Sequence, residues 1–204
     1  SELKRSVALA NKNMPWLRNI YIVVSRPQHC DWWANYTKVR VVYHDELTDR
    51  GLPTFNSHAI EMFLHRIPGL SEHFVYFNDD FYVLKPTSKT VFFSALGEIY
   101  NIVEIRLTHP SFEAYYAAHY SLSRKLGYPV KLFRAHVPLA MTKTLVKKTM
   151  RKWPEWTKRT TLSPFRSPHD LPLLDAAVNL NARVLANPPQ NAYITCSKVT
   201  ASAL

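Results

Sequence analysis

Two groups of side chains in this sequence have the types and spacing that proton transfer and cation binding require. In the first, Glu61 is followed four residues on by His65, with Arg66 beside it. Residues one helical turn apart share a face. A carboxylate next to a basic cluster can orient or deprotonate an attacking hydroxyl. A surface ion pair accounts for the same spacing. In the second, Asn78, Asp79 and Asp80 follow the apolar run HFVYF. Mg²⁺ is held by one or two carboxylates together with substrate phosphate oxygens. A strand-end turn closed by an Asx hydrogen bond is the structural alternative. Two adjacent carboxylates buried after an apolar run cost folding energy unless a cation or donor groups compensate them.

The elements that must position these groups follow from periodicity. Asn56 or Ser57 can cap a helix. Its apolar residues Ile60, Phe63, Leu64 and Ile67 recur at helical spacing, and Pro68-Gly69 ends it. HFVYF then reads as a short, fully buried strand. Asn78, Asp79 and Asp80 therefore fall at a strand's carboxyl end, where open α/β sheets bind ligands. Upstream, residues 2–13 read as a helix ending before Pro15. Residues 19–25 (NIYIVVS) and 39–44 (VRVVYH) read as two strands. This series predicts an α/β domain with a mainly parallel sheet. Residues 91–93 and 101–106 are expected as further strands, the latter a candidate for antiparallel pairing. Residues 111–126 read as an aromatic-rich helix and 138–152 as a basic helix. Prolines 154, 164, 168 and 172 punctuate the connection to a last helix at about 173–181. With no repeat or low-complexity tract, residues 1–204 read as a single domain, the second-half helices capping the sheet.

The stretch 52–80, LPTFNSHAIEMFLHRIPGLSEHFVYFNDD, resembles the conserved region of the Stealth family of sugar-phosphate transferases. MPWLRNIYIVVS and VRVVYHDEL upstream look like the same block, so the likeness covers about residues 1–85. The family includes bacterial capsule polymerases and the lysosomal-enzyme N-acetylglucosamine-1-phosphotransferase. The resemblance implies a nucleotide-sugar transferase fold. It also implies transfer of hexose-1-phosphate from a nucleotide sugar to a glycan or polysaccharide hydroxyl, releasing a nucleoside monophosphate. Within AIE-x-x-x-HR, Glu61 matches a catalytic glutamate. Asp80 matches an essential aspartate, with Asp79 beside it, and the pair would hold Mg²⁺ or Mn²⁺. RAHVP (134–138) and FRSPHDL (165–171) resemble a His-x-Pro element and an arginine-containing element. They carry over His136 as an acid or base and Arg166 as a bidentate phosphate ligand. Asn56, His65, Arg66 and Asn78 are expected to contact substrate. His58, Lys85, His169 and Asp170 are secondary candidates. The family's usual first strand, in a pattern like VYTWVDGSD, and its aromatic-proline-serine ending are not found here. The final NAYITCSKVTASAL reads as a strand and a tail.

Composition narrows the remaining classes. At 204 residues, with 47% hydrophobic and 13% aromatic content, the chain can build a sizeable core. A net charge of +11 favours anionic partners such as a nucleotide, a phosphosugar or anionic lipid. The basic stretch 145–159 reads either as a solvated helix face or as a patch for a membrane or acceptor. No apolar run approaches the roughly 18 residues of a membrane span. The opening residues are too polar for a signal peptide, lack an initiator Met and read as the interior of a helix, as in a fragment. Cys30 and Cys196 are too few for a zinc site and read as free thiols of a reducing compartment. The expected location is cytoplasmic and membrane-peripheral, or the Golgi lumen for a eukaryotic homologue. Two other functions fit parts of the pattern. An ordinary metal-dependent glycosyltransferase would release a nucleoside diphosphate. A basic nucleic-acid-binding module would stack bases on aromatic side chains. The aromatics fall mostly in apolar runs such as FVYF and VFF, where core is the better reading, so no nucleic-acid partner is expected.

Overall fold

The computed structural model describes residues 1–29, 31–100, 103–107, 114–126, 130–134 and 137–181. Cys30, His136, Cys196 and the expected C-terminal strand lie outside them. Helix α1 (Glu2–Asn13) is capped by Ser1 and buries Val7 and Ala10. Strand β1 (Ile20–Val24) and strand β2 (Val39–Tyr43) are β-branched runs that pair in parallel, Ile20 opposite Val39 through Val24 opposite Tyr43. A 3-10 turn at Asp31–Asn35 carries the crossover and buries Trp33. Helix α2 (His44–Leu47) follows β2 directly.

The site-bearing unit comes next. Helix α3 (Ser57–Phe63) passes into a 3-10 turn at Leu64–Arg66. Gly69, at φ +75°, adopts the left-handed conformation that ends it. Strand β3 (His73–Tyr76) follows. The expectation of a mainly parallel sheet is corrected here. β3 pairs antiparallel with β6 (Leu139–Thr142), and β4 (Val103–Leu107) pairs antiparallel with β5 (Val130–Arg134). Among the described residues the sheets are two-stranded, and only β1–β2 is parallel. The architecture is mixed α/β. With one edge paired, β3 is half-buried, its first residue exposed, rather than fully buried.

The expected helix over 138–152 is in fact two elements. Leu139, Ala140 and Met141 are fully buried as β6. Thr142 then caps α5 (Lys143–Lys152), its hydroxyl accepting from Leu145 N–H at 3.0 Å. Leu, Ala and Met suit helices as well as strands, so periodicity could not separate them from the basic helix that follows. Residues 89–91 form a 3-10 turn, and Phe93 makes a single bridge to Ile99 rather than a strand. The proline-marked connection contains helix α6 (Pro154–Leu162). Pro154 sits in its first turn, where the missing N–H has no intrahelical partner to lose.

Helix α4 (Ala114–Leu126) and helix α7 (Leu173–Asn181) complete the second half. The largest core cluster joins Met62 of α3, Leu122 of α4, Leu139 and Met141 of β6, Leu145 of α5, Trp156 of α6 and Leu173 to Val178 of α7. The second-half helices thus pack on the site helix α3 and on β6. At the other end, α1 and Trp16 just beyond it clamp the segment after Asp80. Ser6 Oγ donates to Phe81 O at 2.6 Å, Asn13 Nδ2 to Val83 O at 2.5 Å and Trp16 Nε1 to Thr87 O at 2.6 Å.

Candidate functional site: a cleft at the start of α3 and the end of β3

Asn56 caps α3, its Oδ1 accepting from His58 N–H at 3.1 Å. Its side-chain amide points away from solvent and donates to Asp170 Oδ2 at 2.9 Å, Phe165 O at 3.2 Å and Ser163 O at 3.4 Å. Asp170 also accepts from Ser167 N–H at 2.7 Å. Phe55 N–H donates to Pro164 O at 2.8 Å. One fully buried asparagine therefore fastens the 163–170 loop to the beginning of α3. That loop carries Arg166, whose Nε donates to Ser57 Oγ at 3.1 Å.

Glu61 lies on α3, one turn beyond Ser57, and is only 4% exposed. Tyr76 OH, at the end of β3, donates to its Oε1 at 3.3 Å. Asn78 and Asp79 follow. Ser57, Glu61, Tyr76, Asn78, Asp79 and Arg166 all line one cleft of about 1220 Å³, which continues between β1 and β3. Asp79 and Asp80 are both exposed. Water solvates them, so the folding cost foreseen for buried carboxylates does not arise.

His65 and Arg66 lie elsewhere. The chain tightens into its 3-10 turn after Phe63, so the α-helical stacking of residue 65 over residue 61 is lost. His65 Nδ1 contacts Met62 O at 2.7 Å, and Arg66 Nη1 donates to Leu47 O at 3.1 Å. Burial holds the His65 imidazole below its ordinary value. The Met62 carbonyl opposes that shift, and Arg66 adds to it. Neither residue lines the cleft, and neither do Asn56 or Asp80. His58 is buried with its Nδ1 3.7 Å from Asp170 Oδ2. Asp170 is thus part of the tie beneath the site. His169 is exposed, and its carbonyl accepts from Trp156 Nε1 at 2.5 Å.

Ser57 and Tyr76 are cleft residues that sequence reasoning did not single out. Ser57 stood only as an alternative helix cap, and Tyr76 only as part of an apolar run. Their signal was adjacency to Asn56 and to Asn78. Among the described residues, no three His, Cys, Asp or Glu side chains gather as a metal centre. Exposed carboxylate oxygens at Asp79 and Asp80 do fit a hard divalent cation that completes its shell with substrate oxygens. No helix among the described residues is long and apolar enough to cross a membrane.

A strand-end cleft with a buried glutamate, an exposed aspartate and an arginine carries the side-chain types that handle protons and phosphate. Residues 1–100 match Stealth protein CR2, conserved region 2, and the chain belongs to the Stealth family. It is similar to an exopolysaccharide phosphotransferase, CpsY, of Mycobacterium tuberculosis (strain ATCC 25618 / H37Rv). The two are 35% identical over 182 residues, covering 83% of this chain and 34% of the relative. It is also similar to the capsular polysaccharide phosphotransferases LcbA of Aeromonas hydrophila, 47% identical over 97 residues, and fcs1 of Haemophilus influenzae, 48% identical over 99 residues. Those matches cover 47% and 48% of this chain and 27% of each relative. The chain thus spans about a third of the length of the relatives it matches, or less.

Proposed function

We propose that this chain forms part of a polysaccharide phosphotransferase that moves hexose-1-phosphate from a nucleotide sugar to a hydroxyl of a growing glycan. One observation carries the reading. Arg166 reaches the same cleft as Glu61, Asn78 and Asp79 although more than a hundred residues separate it from Ser57, its hydrogen-bond partner. The relatives named above supply the reaction class.

In this reading the acceptor oxygen attacks the phosphorus that bears the sugar. A new O–P bond forms, and the bond from that phosphorus to the bridging oxygen of the nucleoside monophosphate breaks. Glu61, withdrawn from water, takes the acceptor proton, and Tyr76 OH orients its carboxylate. Arg166 binds the equatorial phosphoryl oxygens, where charge gathers in such transfers. Asn78 offers amide hydrogen bonds to the donor. Asp79 and Asp80 would hold Mg²⁺ or Mn²⁺, which when bound neutralises pyrophosphate charge. His136 is retained as an alternative proton acceptor, whereas His65 and Arg66, which do not line the cleft, are left out of this reading. Asn56 acts through the loop it anchors. The donor is a nucleotide sugar and the acceptor a glycan or polysaccharide. The exposed basic residues Lys147, Lys148, Arg151, Lys152 and Lys158 on α5 and α6 suit peripheral contact with an anionic membrane surface on the cytoplasmic side.

Chromatography of the released nucleotide tests the assignment. A monophosphate, with phosphorus retained in the new linkage, is expected from the full-length protein. A diphosphate product with no phosphorus in the linkage would establish an ordinary glycosyltransferase instead.

A further inference from the structure

We propose that Phe55 and Phe165 form an aromatic platform beside the cleft that stacks a sugar ring of the acceptor. This rests on the reading above, in which the acceptor is a glycan. Phe55 is 70% exposed and Phe165 64%. Their ring centroids are 5.7 Å apart and their planes differ by only 11°. Burying a phenylalanine stabilises a fold, yet this fold holds two of them in water. Apolar side chains scattered singly over a surface need no explanation. These two come from distant segments and are brought together as a stacked pair.

The backbone fixes both rings in place. Phe55 N–H donates to Pro164 O at 2.8 Å. Phe165 O accepts from Asn56 Nδ2 at 3.2 Å and from Ser163 Oγ at 2.7 Å. Asn56 itself is fully buried. The two rings are thus set before any ligand arrives, which lowers the ordering cost of binding. Each segment runs on into the cleft. Arg166 follows Phe165, Ser57 lies two residues after Phe55, and Arg166 Nε donates to Ser57 Oγ at 3.1 Å. Ser57 and Arg166 line the cleft, whereas neither phenylalanine does. The platform therefore stands outside the cleft, beside the arginine assigned to the transferred phosphate.

The occupant follows from chemistry and position. The axial C–H bonds of a hexose carry slight positive charge and suit the negative face of an aromatic ring. Its hydroxyls lie around the edge of the ring and stay in water. A nucleotide-sugar donor has no need of this surface. The cleft, at about 1220 Å³, exceeds the ~300–1,000 Å³ of ordinary small-ligand sites and takes the donor whole. The acceptor is a chain, and only its terminal hydroxyl enters to attack the phosphorus. The units behind it must leave the cleft, and a chain leaving past Arg166 crosses Phe55 and Phe165. A protein partner fits poorly. Two side chains of ~150–250 Å² each, only partly exposed, fall far short of the ~800 Å² that each partner gives to a stable interface.

The test is binding to the full-length protein. The acceptor probe is a set of oligosaccharides released by mild hydrolysis from the surface polysaccharide of the source organism. The donor probe is whichever of UDP, GDP and CDP binds most tightly. Phe55→Ala and Phe165→Ala are each expected to raise the Kd for the oligosaccharide roughly tenfold and to leave that for the nucleotide unchanged. Phe55→Tyr and Phe165→Tyr keep the ring and are expected to stay within about twofold of wild type. Leu96→Ala, which removes another exposed apolar side chain, is expected to change neither. Wild-type protein that binds no oligosaccharide overturns the proposal, as does an unchanged oligosaccharide Kd in either alanine variant. An equal loss of nucleotide affinity overturns it in favour of a donor site. A fall of roughly 4 °C or more in the melting temperature of both alanine variants overturns it too, since the rings would then be packed beneath another segment. A nucleoside diphosphate as the reaction product, with the oligosaccharide effects intact, supports the platform and sinks only the phosphotransferase reading.

Discussion

Glu61 and the Asp79-Asp80 pair are carboxylates assigned to one reaction, yet the fold treats them in opposite ways. Glu61 is on a helix, 4% exposed, with Tyr76 OH on its Oε1. Asp79 and Asp80 are on a turn and open to water. A carboxylate held away from water has few competing partners and suits proton transfer. A carboxylate that stays hydrated can exchange water for a cation and a substrate phosphate at little cost. Burial thus divides two kinds of acid chemistry that residue type leaves undivided.

The sharpest way to break this comparison is Glu61→Gln in the full-length protein. Volume is kept and the proton acceptor lost, so turnover is expected to fall by roughly 10²- to 10⁴-fold, with cooperative melting preserved. A variant that melts normally and retains wild-type turnover removes Glu61 from the reaction. The exposed pair comes next. Asp80→Asn is expected to abolish transfer and Asp79→Asn to weaken it, with activity at Asp79→Asn partly regained at raised Mg²⁺ or Mn²⁺. Full turnover of metal-stripped protein in excess chelator would show that the aspartates have no cation to hold.

Asn56→Ala separates positioning from chemistry. It removes the α3 cap and leaves Asp170 short of a donor in the interior. A stability loss of about 1–3 kcal/mol is expected from denaturant titration. Arg166 is expected to lose its fixed approach, so turnover falls as well. An unchanged midpoint would mean that the 163–170 loop is held some other way. Tyr76→Phe removes one hydroxyl from Glu61 and should cost no more than about 1.5 kcal/mol in transition-state stabilisation. Its signature is a shift in the acid limb of the pH–rate profile. An unshifted limb would uncouple Tyr76 from Glu61.

The smallest effect is in the pH dependence of stability. His65 and His44 are both lowered from 6.5, in each case chiefly by burial. Below 6.5 the unfolded chain binds protons that the folded chain resists. Their contribution is therefore present above pH 6.5 and is lost as pH falls through the lowered folded values. Replacing both with Gln should flatten that part of the stability curve. An unaltered slope would show that other groups set it.

Much of the first hundred residues was legible because its signals are local. The continuous apolar run Ile20–Val24, the helical spacing of Ile60, Phe63 and Leu64, and the Asn56 cap each depend on neighbours a few residues away. The β6 strand was not legible. Leu139–Thr142 becomes a strand because β3 offers an edge more than sixty residues upstream. The grouping of Glu61, His65 and Arg66 also failed to transfer. It assumed that the α-helix continues, whereas the chain tightens into a 3-10 turn one residue after Phe63.

From sequence alone came α1, β1, β2, α3 and β3, the basic charge, the Glu61 and Asn78-Asp79-Asp80 candidates and, through the family resemblance at Arg166, the idea of a phosphate ligand. Tertiary structure decided the antiparallel partner of β3, the division into buried and exposed carboxylates, and the arrival of Arg166 beside Ser57. The physical reason is range. Helix caps and periodicity are set by contacts within about four residues. Burial, strand pairing and the loop clamped by Asn56 depend on surfaces that meet only when distant segments pack together.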